Sequence, residues 1–136
     1  MAGTIDLWLL IAGMSPRLHP GVFVFAALPP GSAMPPHVEP VMIFRESEGV
    51  TLILEEGEAR KAELAGTFRC RMVTLEIHSS LDAVGFLGAI TTRLAMARIS
   101  VNPVSAFHHD HLFVPIDRAE EVLLILEQLA SQAAKR

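Results

Sequence analysis

Residues 67–78 read TFRCRMVTLEIH, residues 79–98 read SSLDAVGFLGAITTRLAMAR, and residues 99–116 read ISVNPVSAFHHDHLFVPI. In the first stretch Val73, Leu75 and Ile77 alternate with Met72, Thr74, Glu76 and His78, the period of two that marks a strand with one buried face. In the second, Ser79 with Asp82 three residues on has the spacing of a capping box. It predicts a helix from Leu81 to about Ala97 with Ala83, Leu87, Ile90, Leu94 and Ala97 on one face. Gly85 and Gly88 interrupt that helix at a cost of roughly 1 kcal/mol each against Ala. They predict close approach of a strand or a ligand. The third stretch is extended from Ile99 to Phe107. Pro103 inside it predicts a sheet edge or a bulge. His108-His109-Asp110-His111 reads as a polar break, and Leu112 to Ile116 as the next strand. Asp117, with Glu120 three residues on, predicts the cap of a last helix. Ala119, Val122, Leu123, Leu126, Leu129 and Ala130 are its apolar stripe.

This β-α-β-β-α order is a ferredoxin-like split unit lacking its final strand. The sequence offers nothing after the last helix to supply it, so the donor is expected in the first half, with Gly21 to Leu28 (GVFVFAAL) the best fit. That half opens with a short helix from Asp6 to Met14, stopped by Pro16 and Pro20. After the strand at 21–28, residues 29–40 (PPGSAMPPHVEP) hold five prolines and read as a loop. Val41–Phe44 and Val50–Leu54 form a hairpin around Glu46-Ser47-Glu48-Gly49. A short charged helix follows over Glu55–Leu64, with Glu56 and Arg60 as an i,i+4 pair. The expected fold is α+β, with two interlocked ferredoxin-like βαββαβ units, antiparallel sheets and helices on one face. The halves are 1–66 and 67–136.

Composition narrows the function. The chain has 136 residues, 51% hydrophobic, one cysteine and a net charge of −4. Residues 1–68 carry all of that charge, and neither half has the basic excess that nucleic-acid binding uses. With no tyrosine and one tryptophan, a base-stacking platform is not expected either. No apolar run approaches the roughly 18 residues of a membrane helix, and Asp6 stands where a signal peptide would carry a cation. The expectation is a cytoplasmic protein without nucleic-acid or membrane partners. A mean hydropathy of +0.41, with an edge strand near Ile99–Ala106, predicts a homodimer that covers apolar surface.

Strand Met72–Ile77, the segment Ser79-Ser80-Leu81-Asp82-Ala83-Val84-Gly85-Phe86-Leu87 and the run Leu94 to Val101 together resemble an ACT domain. Val84 replaces the proline usual in that family, and Arg98 the glycine usual before its second strand. The strings Val101–Phe107 and Asp110–Pro115, and the start at Asp6–Met14 leading into Pro20–Phe25, resemble short bacterial proteins with two ACT-like halves. The resemblance implies a non-enzymatic regulatory protein that binds a small molecule, an amino acid, with no catalytic residue, cofactor or metal.

A carboxylate suits free N–H groups at a helix start. The site residues expected on that basis are Ser79, Ser80, Leu81, Val84, Gly85 and Phe86 for the carboxylate. Ile99, Ser100 and Asn102 are expected near the ammonium. His109 and His111 are further candidates for the pocket. Each feature also has a plain structural reading: a serine that only caps, a glycine that only packs, histidines in a solvated turn. Two other functions fit the same residues. One is a dimeric protein–protein adaptor without a ligand. The other is a metal-dependent enzyme using the His108–His111 cluster, since imidazole suits zinc, copper or iron. Cys70 lies between Arg69 and Arg71, which on a strand point away from it. It is expected to be a buried structural thiol.

Overall fold

The computed structural model describes residues 6–135. In chain order they form α1 (Leu7–Gly13), β1 (Ser15–Leu18), β2 (Phe23–Leu28), β3 (Met42–Glu46), β4 (Gly49–Glu55), α2 (Glu56–Lys61), β5 (Thr67–Glu76), α3 (Phe86–Met96), β6 (Asn102–Ser105), β7 (Asp110–Pro115) and α4 (Ala119–Ala134). A 3-10 turn at Ile116–Arg118 leads into α4. The chain is α+β, and its strands divide between two compact units. One is residues 21–70; the other joins the residues up to Pro20 with those from Arg71 onward.

In the unit of residues 21–70 the strand order is β3-β4-β2-β5, with Phe23 opposite Cys70. This is the ferredoxin-like order, with β2 and β4 central. The crossover from β2 to β3 carries no helix. Its five prolines lack the N–H groups a helix ladder needs. Alternate residues Val24, Ala26 and Leu28 of β2 meet Leu52 and Leu54 of β4 and Ala59 of α2 in one small core.

In the other unit the order is β6-β7-β5, with β1 on the remaining side of β5. Ser15 pairs with Glu76 and Leu18 with Val73. The strands on that side of β5 do come from the first half: the expected donor, Gly21–Leu28, pairs with it at Thr67 and Cys70, and β1 adds a second partner along residues 73–76. Pro16, read as a stop, sits inside this short strand opposite Leu75. β1 pairs only with β5, so it is an edge, where a residue without an N–H is tolerated. Pro103 occupies the opposite edge in β6, facing Leu112. The helices bury Leu10 and Ile11 of α1, Phe86, Ile90 and Leu94 of α3 and Val122, Ile125 and Leu126 of α4. These close over Val73, Leu75, Leu112 and Val114 of the sheet.

Of three expected helix caps, one holds and two are corrected. Asp6 does cap α1, its carboxylate accepting the Leu9 N–H at 3.0 Å. But α3 begins at Phe86, five residues later than the serine spacing implied. The Ser80 hydroxyl accepts the Asp82 N–H at 3.1 Å in a local turn. Gly85 then stands at the cap with φ 91°, a left-handed turn that no preceding helix could pass through. A Cβ at Gly88 would meet nothing within 4 Å, and one at Gly85 only Leu7 at 3.7 Å, so neither glycine serves a close approach. Nor does Asp117 cap α4. The 3-10 turn shifts the start so that Arg118 is the cap residue, without a side-chain cap bond.

Arg98, where ACT domains favour glycine, has φ 58°. It closes α3 together with the Ile99 N–H bond to the Leu94 carbonyl at 3.1 Å. A side chain in that conformation costs about 1–2 kcal/mol. Arg98→Gly is therefore expected to stabilise the protein by about 1 kcal/mol, read as a rise in the urea midpoint at unchanged slope.

Candidate functional site

The loop after β5, the first turn of α3 and the β6–β7 hairpin line a solvent-open pocket of about 90 Å³. Ser79, Ser80 and Leu81 come from the loop, Phe86 and Leu87 from α3, and Ser105, Ala106 and Asp110 from the hairpin. The first-turn N–H groups of α3 have no intrahelical acceptor and carry the positive end of the helix dipole. Asp110 lies in the same wall and is only 8% exposed. Pairing within the hairpin puts Ser105 opposite Asp110, and the Ser105 hydroxyl donates to Asp110 Oδ1 at 2.6 Å. None of the ion pairs among the described residues includes Asp110. The site thus sets a buried carboxylate, held by the Ser105 hydroxyl, beside the serines of the loop and the start of α3.

Of the residues expected here, Ser79, Ser80, Leu81 and Phe86 line the cavity. Val84 is 83% exposed and, like Gly85, lies in the loop outside the lining. Ile99 is buried in the core, while Ser100 and Asn102 are exposed. These three follow the far end of α3, about 16 Å from its start for an 11-residue helix. It is the end of β6, not its beginning, that returns to the cavity. Ser105, Ala106 and Asp110 are not among the residues expected here, because a sequence reading of His108 to His111 as one break hides the pairing of Ser105 with Asp110. Asp110 and His111 already belong to β7. A hairpin register closing on Ser105 and Asp110 was the available signal.

The histidines are engaged elsewhere. The Thr74 hydroxyl is buried and lies 2.7 Å from His19 Nε2 and 2.9 Å from His111 Nδ1. Its single hydrogen serves one ring, and it accepts from the other. The His109 Nδ1 is 3.3 Å from the Ile77 carbonyl. His109 and His111 stand nearly perpendicular, their centres 6.4 Å apart. Among the described residues no three His, Cys, Asp or Glu side chains gather as a metal site, so the metal-enzyme reading gains no geometric support.

Burial holds the His111 imidazole below its usual pKa, helped by His109, His19 and Arg17 and opposed by Asp110. Burial lowers His19 as well, with Arg17 reinforcing and Glu76 opposing. The unfolded chain therefore binds protons that the native rings refuse. Stability is full above the unfolded histidine value near 6.5 and is lost as pH falls toward the depressed native values. Melting temperature is expected to fall between about pH 7 and pH 5, and His111→Gln is expected to make that slope shallower.

Cys70 is fully buried, and burial pushes its thiol up to about 12. Its S–H donates to the Phe23 carbonyl at 3.3 Å. The neighbouring cations turn away. Arg69 binds Glu56 at 2.5 Å, and Arg71 donates to the His19 carbonyl at 2.8 Å. The thiol is structural. Among the described residues no helix is long and apolar enough to cross a membrane.

Two ACT domain family models match the chain, one over residues 2–71 and the other over 67–128. Among solved structures, a Vibrio cholerae protein of unknown function, described as a possible transport protein, is 38% identical. It aligns with a TM-score of 0.81 over 91% of this chain and 95% of its own. An Agrobacterium tumefaciens protein is 17% identical, with a TM-score of 0.75 over 86% of this chain and 89% of its own. The regulatory subunit of aspartate kinase from Thermus thermophilus shares the fold at 11% identity and a TM-score of 0.62. That match covers 84% of this chain and 95% of the subunit. No curated protein matches the chain.

Proposed function

The chain belongs to the ACT domain family, and from that premise we propose that it is a non-enzymatic regulatory protein that senses a free amino acid. The observation that carries the reading is the placement of Asp110 and the start of α3 in one cavity. An α-amino acid presents an ammonium and a carboxylate one carbon apart. Asp110, oriented by Ser105, takes the ammonium. The first-turn N–H groups of α3 and the hydroxyls of Ser79 and Ser80 take the carboxylate. Asp110 and Ser105 replace Ser100 and Asn102 in the ammonium role, because they are the polar side chains of the second wall. Residues 1–66 and 67–136 are the two ACT-like halves, and the protein works in the cytoplasm as a homodimer. Support for the dimer comes from apolar side chains left in solvent, among them Leu81, Val84 and Phe107 around the loop and hairpin. Light scattering at tens of micromolar, about the range of a modest interface, is expected to give twice the chain mass.

The test is a melting scan of the purified protein with each standard amino acid in excess. Ligand bound only by the native state raises the midpoint. A rise with one or a few amino acids is the expected result. A flat response to all of them removes the sensor reading and leaves the adaptor that works through its surface alone.

A further inference from the structure

Apart from the amino-acid site, we infer that the outer edge of β3 docks an extended, basic-ended segment of another protein as an added strand. Among the described strands β3 pairs only with β4, so alternate N–H and C=O groups along Met42–Glu46 point away from the sheet. The Val41 N–H donates to the Ile53 carbonyl at 2.7 Å, which carries the edge back to Val41.

The outer edges β3 and β6 are built differently. β6 carries Pro103, which has no N–H to offer, next to the exposed polar Asn102. From Val41 to Glu46 there is no proline, and large apolar side chains stand in solvent: Val41 and Ile43 are each 48% exposed and Phe44 is 62% exposed. Val41 and Ile43 share one face, and Ile43 lies opposite Leu52 of the small core. A strand laid outside β3 satisfies the outward backbone groups and covers Ile43 beside that core. Its main chain supplies affinity and its alternate side chains specificity.

Charge decides the occupant. Residues 21–70 hold seven glutamates against three arginines and one lysine. Glu39 is exposed at one end of the edge and Glu46 and Glu48 at the other, with Arg45 the one Lys or Arg between 39 and 48. Two copies pairing antiparallel through β3 would set Glu46 and Glu48 of one against Glu39 of the other at each end, and like charges across a strand pair are unfavourable. An apolar strand with Lys or Arg at both ends meets those acids instead. The dimer surface proposed around Leu81, Val84 and Phe107 belongs to the other unit and uses none of these residues.

The probe is a dye-labelled peptide of about seven residues, the length of an ordinary strand, alternating valine and threonine with a lysine at each end. Fluorescence anisotropy with the whole protein is expected to show saturable binding, weaker by about fivefold or more when the end lysines are exchanged for glutamates. Ile43→Lys, at a half-exposed position, is expected to keep the wild-type circular dichroism spectrum and to weaken binding by about tenfold or more. Val41→Lys reads the same edge from outside the strand, and Asn102→Lys on β6 controls for added charge and should bind as wild type does. No binding of the lysine-ended peptide, equal binding of the two peptides, or binding unchanged by both Ile43→Lys and Val41→Lys overturns the proposal. So does light scattering in which Ile43→Lys is a monomer while Leu81→Lys stays a dimer, which gives the edge to a second copy. The melting scan with amino acids stands or falls separately.

Discussion

Asp110→Asn is expected to leave the fold intact and to remove the amino-acid-induced rise in melting temperature. Asparagine has the same shape, and its side-chain carbonyl still accepts the Ser105 hydroxyl that now lies 2.6 Å from Asp110 Oδ1. The unliganded variant should therefore melt close to wild type. What it loses is the charge. A hydrogen bond between two ions in a buried site contributes more than one between neutral groups. Losing its charged member costs about 2–3 kcal/mol, or roughly 30- to 150-fold in Kd. Ser105→Ala keeps the carboxylate but frees it to turn, and should cost about 1 kcal/mol. Calorimetry with the amino acid that shifts wild type most is the measurement. An unchanged Kd in Asp110→Asn would take the ammonium out of this cavity.

Gly49→Ala is expected to be the most damaging small substitution in the chain. Gly49 has φ 150°, in a region that side-chain-bearing residues rarely adopt, and it follows the Ser47-Glu48 turn of the β3–β4 hairpin. A Cβ there would lie 2.2 Å from the carbonyl oxygen of Leu28. That atom is backbone, held in the β2–β4 ladder where Leu28 faces Val50, so it cannot swing aside. Backbone strain of about 1–3 kcal/mol and a forced shift of packed strands of similar size together predict a loss of about 3 kcal/mol or more. That is a large share of the roughly 5–15 kcal/mol that holds a domain together. Gly57→Ala is the control. Its Cβ would meet nothing within 4 Å in α2, and it should be neutral or slightly stabilising. Urea unfolding of both variants decides the matter. A Gly49→Ala midpoint near wild type would mean that β2 and β4 can part without cost.

The elements that were legible share a local cause. Val73 and Leu75 of β5 fall on one buried face because a strand has period two, although the strand ends at Glu76 and Ile77 lies beyond it. Asp6 caps α1 through a carboxylate and an N–H three residues away. Five prolines forbid a helix between β2 and β3. In each case the deciding atoms lie within a few residues of one another, so spacing alone reveals them. Pro103 was placed on an edge by the same logic, since a missing N–H is a property of the residue itself.

The misreadings also share a cause. Ser79 and Asp82 have capping-box spacing, yet the Ser80 hydroxyl spends itself on the Asp82 N–H and Gly85 turns left-handed before the helix begins. The helix instead starts where Phe86, Ile90 and Leu94 enter the core. Pro16 reads as a stop, yet Ser15–Leu18 runs along an edge of β5. The pairing partner lies about sixty residues away in sequence, beyond the reach of any period.

The sequence by itself therefore determined the α+β class, the second half's strand and helix order, the buried thiol and the region of the polar loop at 79–86, all through short-range periodicity and residue chemistry. Only the tertiary structure decided which strand completes the sheet and which residues face that loop. Asp110 and Ser105 reach the cavity because α3 carries the chain away and β6 brings it back. A return of that kind is set by the length and packing of whole elements, which no local pattern records.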